Sequence, residues 1–165
     1  MLQIDIAAIQ ETRLADTGRL REKDCTFLWQ GKKVDETREY GVGFAVRNTL
    51  LQSENGSERI LTMRMQTTEG PVNFISAYAP TLYSSDEAND QLYDQLHRTL
   101  QDTPSQEQLF LIEDFNARVG ADLESLPTCI GRHGIGKMND NGHRLLELCT
   151  WHNLCITNTF FQTKP

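Results

Sequence analysis

With 165 residues, 38% of them hydrophobic and 24% charged, the chain is long enough for one domain with a substantial core, and its ordinary composition gives no indication of disorder. A net charge of −7 argues against non-specific attachment to nucleic acid through a broad basic surface. It leaves room for an enzyme of nucleic acids, because carboxylates that hold a metal count as negative here and are neutralised in use.

Met1 to Ile9 is apolar but short, carries Asp5 and lacks a basic flank, so it reads neither as a membrane span nor as a secretory signal. Ile4 to Ile9 predicts a short buried strand that runs into Gln10, Glu11 and Thr12. Thr12 to Arg38 is polar and mixed, with Phe27-Leu28-Trp29-Gln30 as a strand before Gly31. Gly41 to Val46 predicts a strand opened by glycines that permit close backbone approach. Ile60 to Gln66 alternates as a half-exposed strand does. Glu69-Gly70-Pro71 supplies a turn, and Val72 to Tyr78 pairs back as the second arm of a hairpin. In that arm Val72, Phe74, Ser76 and Tyr78 share one face, and Pro80 stops the ladder just beyond Tyr78.

Ser84 to Asp102 predicts a helix, with Ser84 and Glu87 at capping-box spacing and Leu92, Leu96 and Leu100 repeating on one face. After Pro104, Leu109-Phe110-Leu111-Ile112 is an unbroken apolar run that breaks into Glu113, Asp114, Phe115 and Asn116. Such a run suits a strand covered on both faces, and alternation places Asp114 and Asn116 on one side with Phe115 on the other. A carboxylate and an amide oxygen so placed can hold a hard metal ion or a phosphate; an Asx-rich turn is the plain alternative. A glycine-rich loop, Gly120 to Gly136, leads to a second amphipathic helix, Gly142 to Asn153, with Leu145, Leu148, Cys149 and His152 inward. Leu154 to Phe161 predicts a last strand. Hairpins first and helix crossovers later make the fold α/β with mixed sheets.

The cysteines are Cys25, Cys129, Cys149 and Cys155, none in a Cys-x-x-Cys pair, and they read as reduced intracellular thiols. His143, Cys149, His152 and Cys155 are zinc-type ligands, but their spacing matches no usual zinc pattern.

Three apolar strands therefore end in reactive polar residues: Gln10-Glu11, Tyr78, and Asp114 with Asn116. Ile9-Gln10-Glu11-Thr12, Gly41-Val42-Gly43-Phe44, Ser76-Ala77-Tyr78-Ala79-Pro80 and Asp114-Phe115-Asn116 resemble, in order, the motifs of the endonuclease/exonuclease/phosphatase superfamily. Phe115 to Gly120, Asn139 to Gly142 and Ile156 to Phe161 are similar to a narrower group, the endonuclease domains of non-LTR retrotransposons and the craniofacial development protein 2-like proteins related to them.

The resemblance implies a four-layer α/β/β/α sandwich, incomplete at both termini, that hydrolyses phosphodiester bonds with one divalent ion, Mg2+ or Mn2+. Carried over by position, Glu11 binds the metal and Tyr78 contacts the scissile phosphate. Asp114 orients or deprotonates the attacking water, and Asn116 steadies the phosphate. Asn141 either donates to a backbone phosphate or simply caps the second helix. Mg2+ wants hard oxygen ligands and keeps its waters, so one or two carboxylates suffice. The implied substrate is nucleic acid, DNA first, with no membrane partner and with nuclear residence if DNA is cut.

The departures are as definite. The superfamily's first-strand asparagine, a later metal-side aspartate and the closing Ser-Asp-His have no counterpart here, and His97, His133, His143 and His152 match no family motif. Glu113 stands where the family has glycine, adding bulk and a like charge beside Asp114. A catalytically impaired domain, with unpaired sheet edges open to a partner or to self-association, is the resulting expectation; a non-catalytic binding domain is its rival.

Overall fold

A computed structural model describes residues 4–37, 39–51, 53–81, 84–121 and 128–162. Met1–Gln3, the tip of the predicted glycine-rich loop at 122–127, and the terminal Lys164-Pro165 lie outside the described residues. The chain forms two compact units: Met1–Ala79 with Gln101–Asp114, and Pro80–Leu100 with Phe115–Pro165.

The first unit holds two four-stranded sheets. In one, β1 (Ile6–Gln10), β4 (Gly41–Arg47), β3 (Cys25–Gly31) and β2 (Thr17–Arg21) lie in that order, all antiparallel. In the other, β5 (Ser53–Ser57), β6 (Ile60–Thr67), β7 (Gly70–Tyr78) and β8 (Gln108–Asp114) follow one another, with β7 and β8 parallel. Alternation sends Leu28, Val42, Phe44 and Val46 from the first sheet and Leu61, Met63, Met65 and Tyr78 from the second into one core.

Gly41 sits at φ +152 at the start of β4, where a Cβ would come within 2.4 Å of the Thr12 hydroxyl. The glycine thus lets the chain leaving β1 close against β4, with the Thr12 N–H donating to the Gly41 carbonyl. The parallel register of β8 is pinned before the strand begins. Arg64 of β6 grips the Glu107 carboxylate with two nitrogens, at 2.9 and 2.7 Å, and Asn73 of β7 donates to it at 2.8 Å. The Arg64 guanidinium, then the Asn73 amide, hold the Glu107 carboxyl down at about 2.

The second unit contains α1 (Asp86–Asp102) as far as Leu100, α2 (Asp140–His152) and a 3-10 turn at Thr157–Thr159. Cys129, Ile130, Leu145, Leu146 and Cys149 form its core, with Phe115, Ala117 and Val119 against them. Arg144 on α2 reaches both Asp86 and Asp90 on α1. His152 and His97 share a hydrogen bond of 2.9 Å between ring nitrogens.

Several sequence expectations are corrected. Strands β2 and β5 carry polar sequences, TGRLR and SENGS, that show no apolar alternation. Strand β8 is not covered on both faces: it ends its sheet's order, and Phe110 and Ile112 are 49% and 37% exposed. Gly70 and Pro71 pair within β7 opposite Thr67 and Gln66, so the turn is Thr68-Glu69 and the strand starts two residues earlier than expected. Ser85 rather than Ser84 caps α1, accepting from the Ala88 N–H at 3.3 Å. The expected final strand is a single bridge, Ile130 to Ile156, followed by the 3-10 turn. There the Thr159 hydroxyl donates to the Ile156 carbonyl and accepts from the Gly131 N–H, satisfying backbone groups that a ladder would have used.

Candidate active site

Three strand ends of the first unit assemble the candidate chemistry. Tyr78 closes β7, and its hydroxyl donates to Glu11 Oε1 at 2.8 Å across 67 residues of sequence. Asp114 closes β8 directly beside Tyr78 in the parallel ladder, and the Ala79 N–H donates to the Asp114 carbonyl at 3.4 Å. Glu11 follows β1 at once and stands at φ 52, a left-handed conformation that glutamate seldom adopts; Arg13 shares it. Each such residue costs on the order of 1–3 kcal/mol, and strain of this kind gathers at functional positions. The second Glu11 oxygen faces Arg13 at 3.4 Å, an exposed pair that contributes little to stability.

The electrostatics favour a protonated tyrosine. Burial, then the hydrogen bond to Glu11 and the charges of Glu11 and Asp114, push the Tyr78 hydroxyl above its ordinary range, with Arg59 pulling slightly the other way. Tyr78 therefore remains a hydrogen-bond donor. Two carboxylates and a hydroxyl donor on one strand-end rim can hold a cation and orient an anion together.

The donor chemistry fits a water-rich hard cation rather than a closed cage. The Glu11 side chain is 48% exposed and supplies one carboxylate, the minimum that a hydrated Mg2+ requires. Among the described residues no group of three or more His, Cys, Asp or Glu is arranged to hold a metal. The zinc-type residues of the second unit are accordingly not brought together. His143 pairs with Glu147, His152 with His97, Cys155 is exposed, and burial raises the Cys149 thiol to about 12.

Asn116 is not the next step of an extended strand. β8 ends at Asp114 and Asn116 stands at φ 48, so the alternation that put the two side chains on one side does not extend past Asp114. Nor is Asn141 the cap of α2. That role belongs to Asn139, whose Oδ1 accepts from the Gly142 N–H at 2.8 Å and the Arg118 N–H at 2.9 Å, while its amide donates to the Asn116 carbonyl at 3.2 Å. The Asn141 side chain is buried and donates instead to the carbonyls of Pro80 and Phe115, at 3.4 and 3.3 Å. Its amide is thus engaged by the loop backbone rather than presented to a phosphate. The signal for Asn139 was in the sequence: it stands three residues before Gly142, the spacing of a cap.

Glu113 turns its side chain off the Asp114 face, and among the described residues neither of its buried oxygens has a hydrogen-bond partner. Burial first, and then the Asp114 charge, push its carboxyl far above the usual range. Arg59 and the Ala79 N–H, already spent on the Asp114 carbonyl, offset only part of this. Sequence reasoning also missed Arg59, which lies in the two-residue turn between β5 and β6 and meets Tyr78 at backbone and side chain alike.

No protein-family model matches the chain. It is similar to craniofacial development protein 2 of Bos taurus, at 33% identity over 98% of this chain and 27% of the bovine protein, and to its namesake from Tragulus javanicus, at 31% identity over 98% of the chain and 28% of that protein. The chain spans about a quarter of the length of the curated relatives it matches. No helix among the described residues is long and apolar enough to cross a membrane.

Proposed function

We propose that the chain is a divalent-metal-dependent phosphodiesterase domain of the endonuclease/exonuclease/phosphatase type, a retrotransposon-type DNA endonuclease in which Glu113 holds turnover low. The four-layer arrangement of that superfamily is part of the reading. The observation that carries it is the Tyr78 hydroxyl on Glu11, with Asp114 beside it in the ladder: residues of three separate strand ends, 11, 78 and 114, meet on one rim.

In this reading Glu11 would hold the Mg2+ or Mn2+ ion, which supplies neutralisation of the charge that develops on the phosphoryl oxygens. Tyr78, kept protonated by burial and its acidic neighbours, would turn its one O–H from Glu11 to a non-bridging phosphate oxygen once Glu11 faces the ion. The Asp114 carboxylate accepts a proton from the attacking water. The resemblance gives Asn116, whose carbonyl accepts from the Asn139 amide, the role of steadying the phosphate. Nuclear residence follows if the substrate is DNA.

A supercoiled-plasmid assay with Mg2+ tests this. The expected result is slow nicking that is accelerated in Glu113→Gly and lost in Glu11→Ala and Asp114→Ala. If neither the natural chain nor Glu113→Gly nicks above background, the enzyme reading is wrong. The unpartnered carboxylate of Glu113 beside Asp114 favours a second reading in that event: a catalytically silent relative that keeps the rim for binding.

A further inference from the structure

Arg59 is partly buried, yet among the described residues no carboxylate lies within ion-pair distance of it. Its main chain and side chain both engage Tyr78: the Tyr78 N–H donates to the Arg59 carbonyl at 3.1 Å, and Arg59 Nη1 donates to the Tyr78 carbonyl at 3.3 Å. The guanidinium carbon stands 3.5 Å from the centroid of the Tyr40 ring, and the Lys32 ammonium nitrogen 4.5 Å from the same centroid. Tyr40 is itself fixed, its hydroxyl donating to Glu58 at 3.1 Å, and Lys32 is steadied by Glu39 at 3.0 Å.

A guanidinium taken partly out of water without a counter-ion is unfavourable, and stacking on a tyrosine face returns on the order of 0.5–2 kcal/mol. The arrangement restrains the group without neutralising it. Of the five N–H donors of an arginine, one is spent on Tyr78, and the planar fork suits two oxygens of one phosphate. The neighbouring groups Glu11, Glu113 and Asp114 are all acidic, so an approaching polyanion needs a cation at this edge of the rim.

We propose that Arg59, seated on Tyr40 and tied to Tyr78, is the phosphate-binding cation of this site, with Lys32 as the adjoining contact, and that the ligand is the backbone phosphate of duplex DNA. The proposal rests on the phosphodiesterase reading for its location but not for its test. Arg59 takes a non-bridging pair of oxygens, and Lys32 takes a neighbouring phosphate as a point charge.

Binding is measured by fluorescence anisotropy of a labelled 20-base-pair duplex in EDTA at several salt concentrations, so that neither metal nor turnover enters. Arg59→Gln is expected to weaken binding about tenfold and to lower the salt slope by about one. Arg59→Lys keeps the charge but loses the fork, so the slope is retained while affinity falls about threefold. Lys32→Gln lowers the slope without touching Tyr78, and Arg98→Gln on α1, an exposed charge of the other unit, leaves binding unchanged. Wild-type slope in Arg59→Gln, or equal losses in Arg59→Gln and Arg59→Lys without a slope change, would overturn the proposal, as would a natural chain that does not bind the duplex. Duplex binding without any Mg2+-dependent nicking sinks the phosphodiesterase reading alone.

Discussion

The rim of the first unit and the loop base of the second treat polar groups in opposite ways. At the rim, Glu11 and Arg13 hold left-handed conformations and, among the described residues, both Glu113 oxygens lack hydrogen-bond partners and no carboxylate is within ion-pair distance of Arg59. At the loop base, the Asn139 side chain makes three hydrogen bonds among the described residues, the Asn141 side chain two, and Arg144 spans Asp86 and Asp90. A region whose polar groups satisfy one another gains stability and has little left for a ligand. A region that leaves charge unmatched gives up stability and keeps the capacity to bind.

The comparison breaks if the rim is merely structural. Glu11→Ala and Asp114→Ala should therefore lower plasmid nicking by at least about 100-fold while shifting the melting temperature by no more than a few degrees. Glu11→Ala relieves the left-handed glutamate only slightly, since alanine is no better there; Glu11→Gly should stabilise by about 1 kcal/mol in a denaturant titration. The converse change belongs to the loop. Asn139→Ala removes the cap of α2 and frees 116–118, and should cost about 1–2 kcal/mol with faster amide exchange at Arg118 and Gly142.

Acidity separates the regions further. The Glu113 carboxyl is raised in the folded state, so its contribution to stability is lost as pH climbs from about 4.5 through the raised value, by up to about 1.4 kcal/mol per pH unit. Glu113→Gln should flatten that slope in melting curves taken between pH 5 and 8. His152 is shifted the other way, lowered by burial and by His97, so stability that is present above about 6.5 declines as pH falls toward the lowered value. His152→Gln should remove this smaller effect, and an unchanged acid limb would place it elsewhere.

Much of the first unit was legible in the chain because its central strands carry their burial in their side chains. Phe44 and Val46, Leu61 and Met63 are apolar where the two sheets share a core, Ile75 and Ala77 are buried on the other face of β7, and periodicity finds them. Strands β2 and β5 were not legible, because edge strands are held by backbone pairing and need no apolar stripe. The candidate site was legible only through the order of its motifs. Nothing in local pattern tells Tyr78 that its hydroxyl will meet a carboxylate 67 residues earlier. Asn139 and Asn141 illustrate the remaining limit: the same side chain two positions apart caps a helix in one case and braces buried carbonyls in the other, and only the path of Pro80 and Phe115 distinguishes them.

Strand β8 has one further consequence. Its parallel pairing with β7 returns the chain to the first unit for 14 residues, Gln101–Asp114, so that both units are discontinuous in sequence. Neither can be excised as a single contiguous segment, and a ribosome must release residue 114 before the second sheet can close. Until then β7 has β6 but no outer neighbour, which makes the nascent hairpin the stretch most in need of shelter during synthesis.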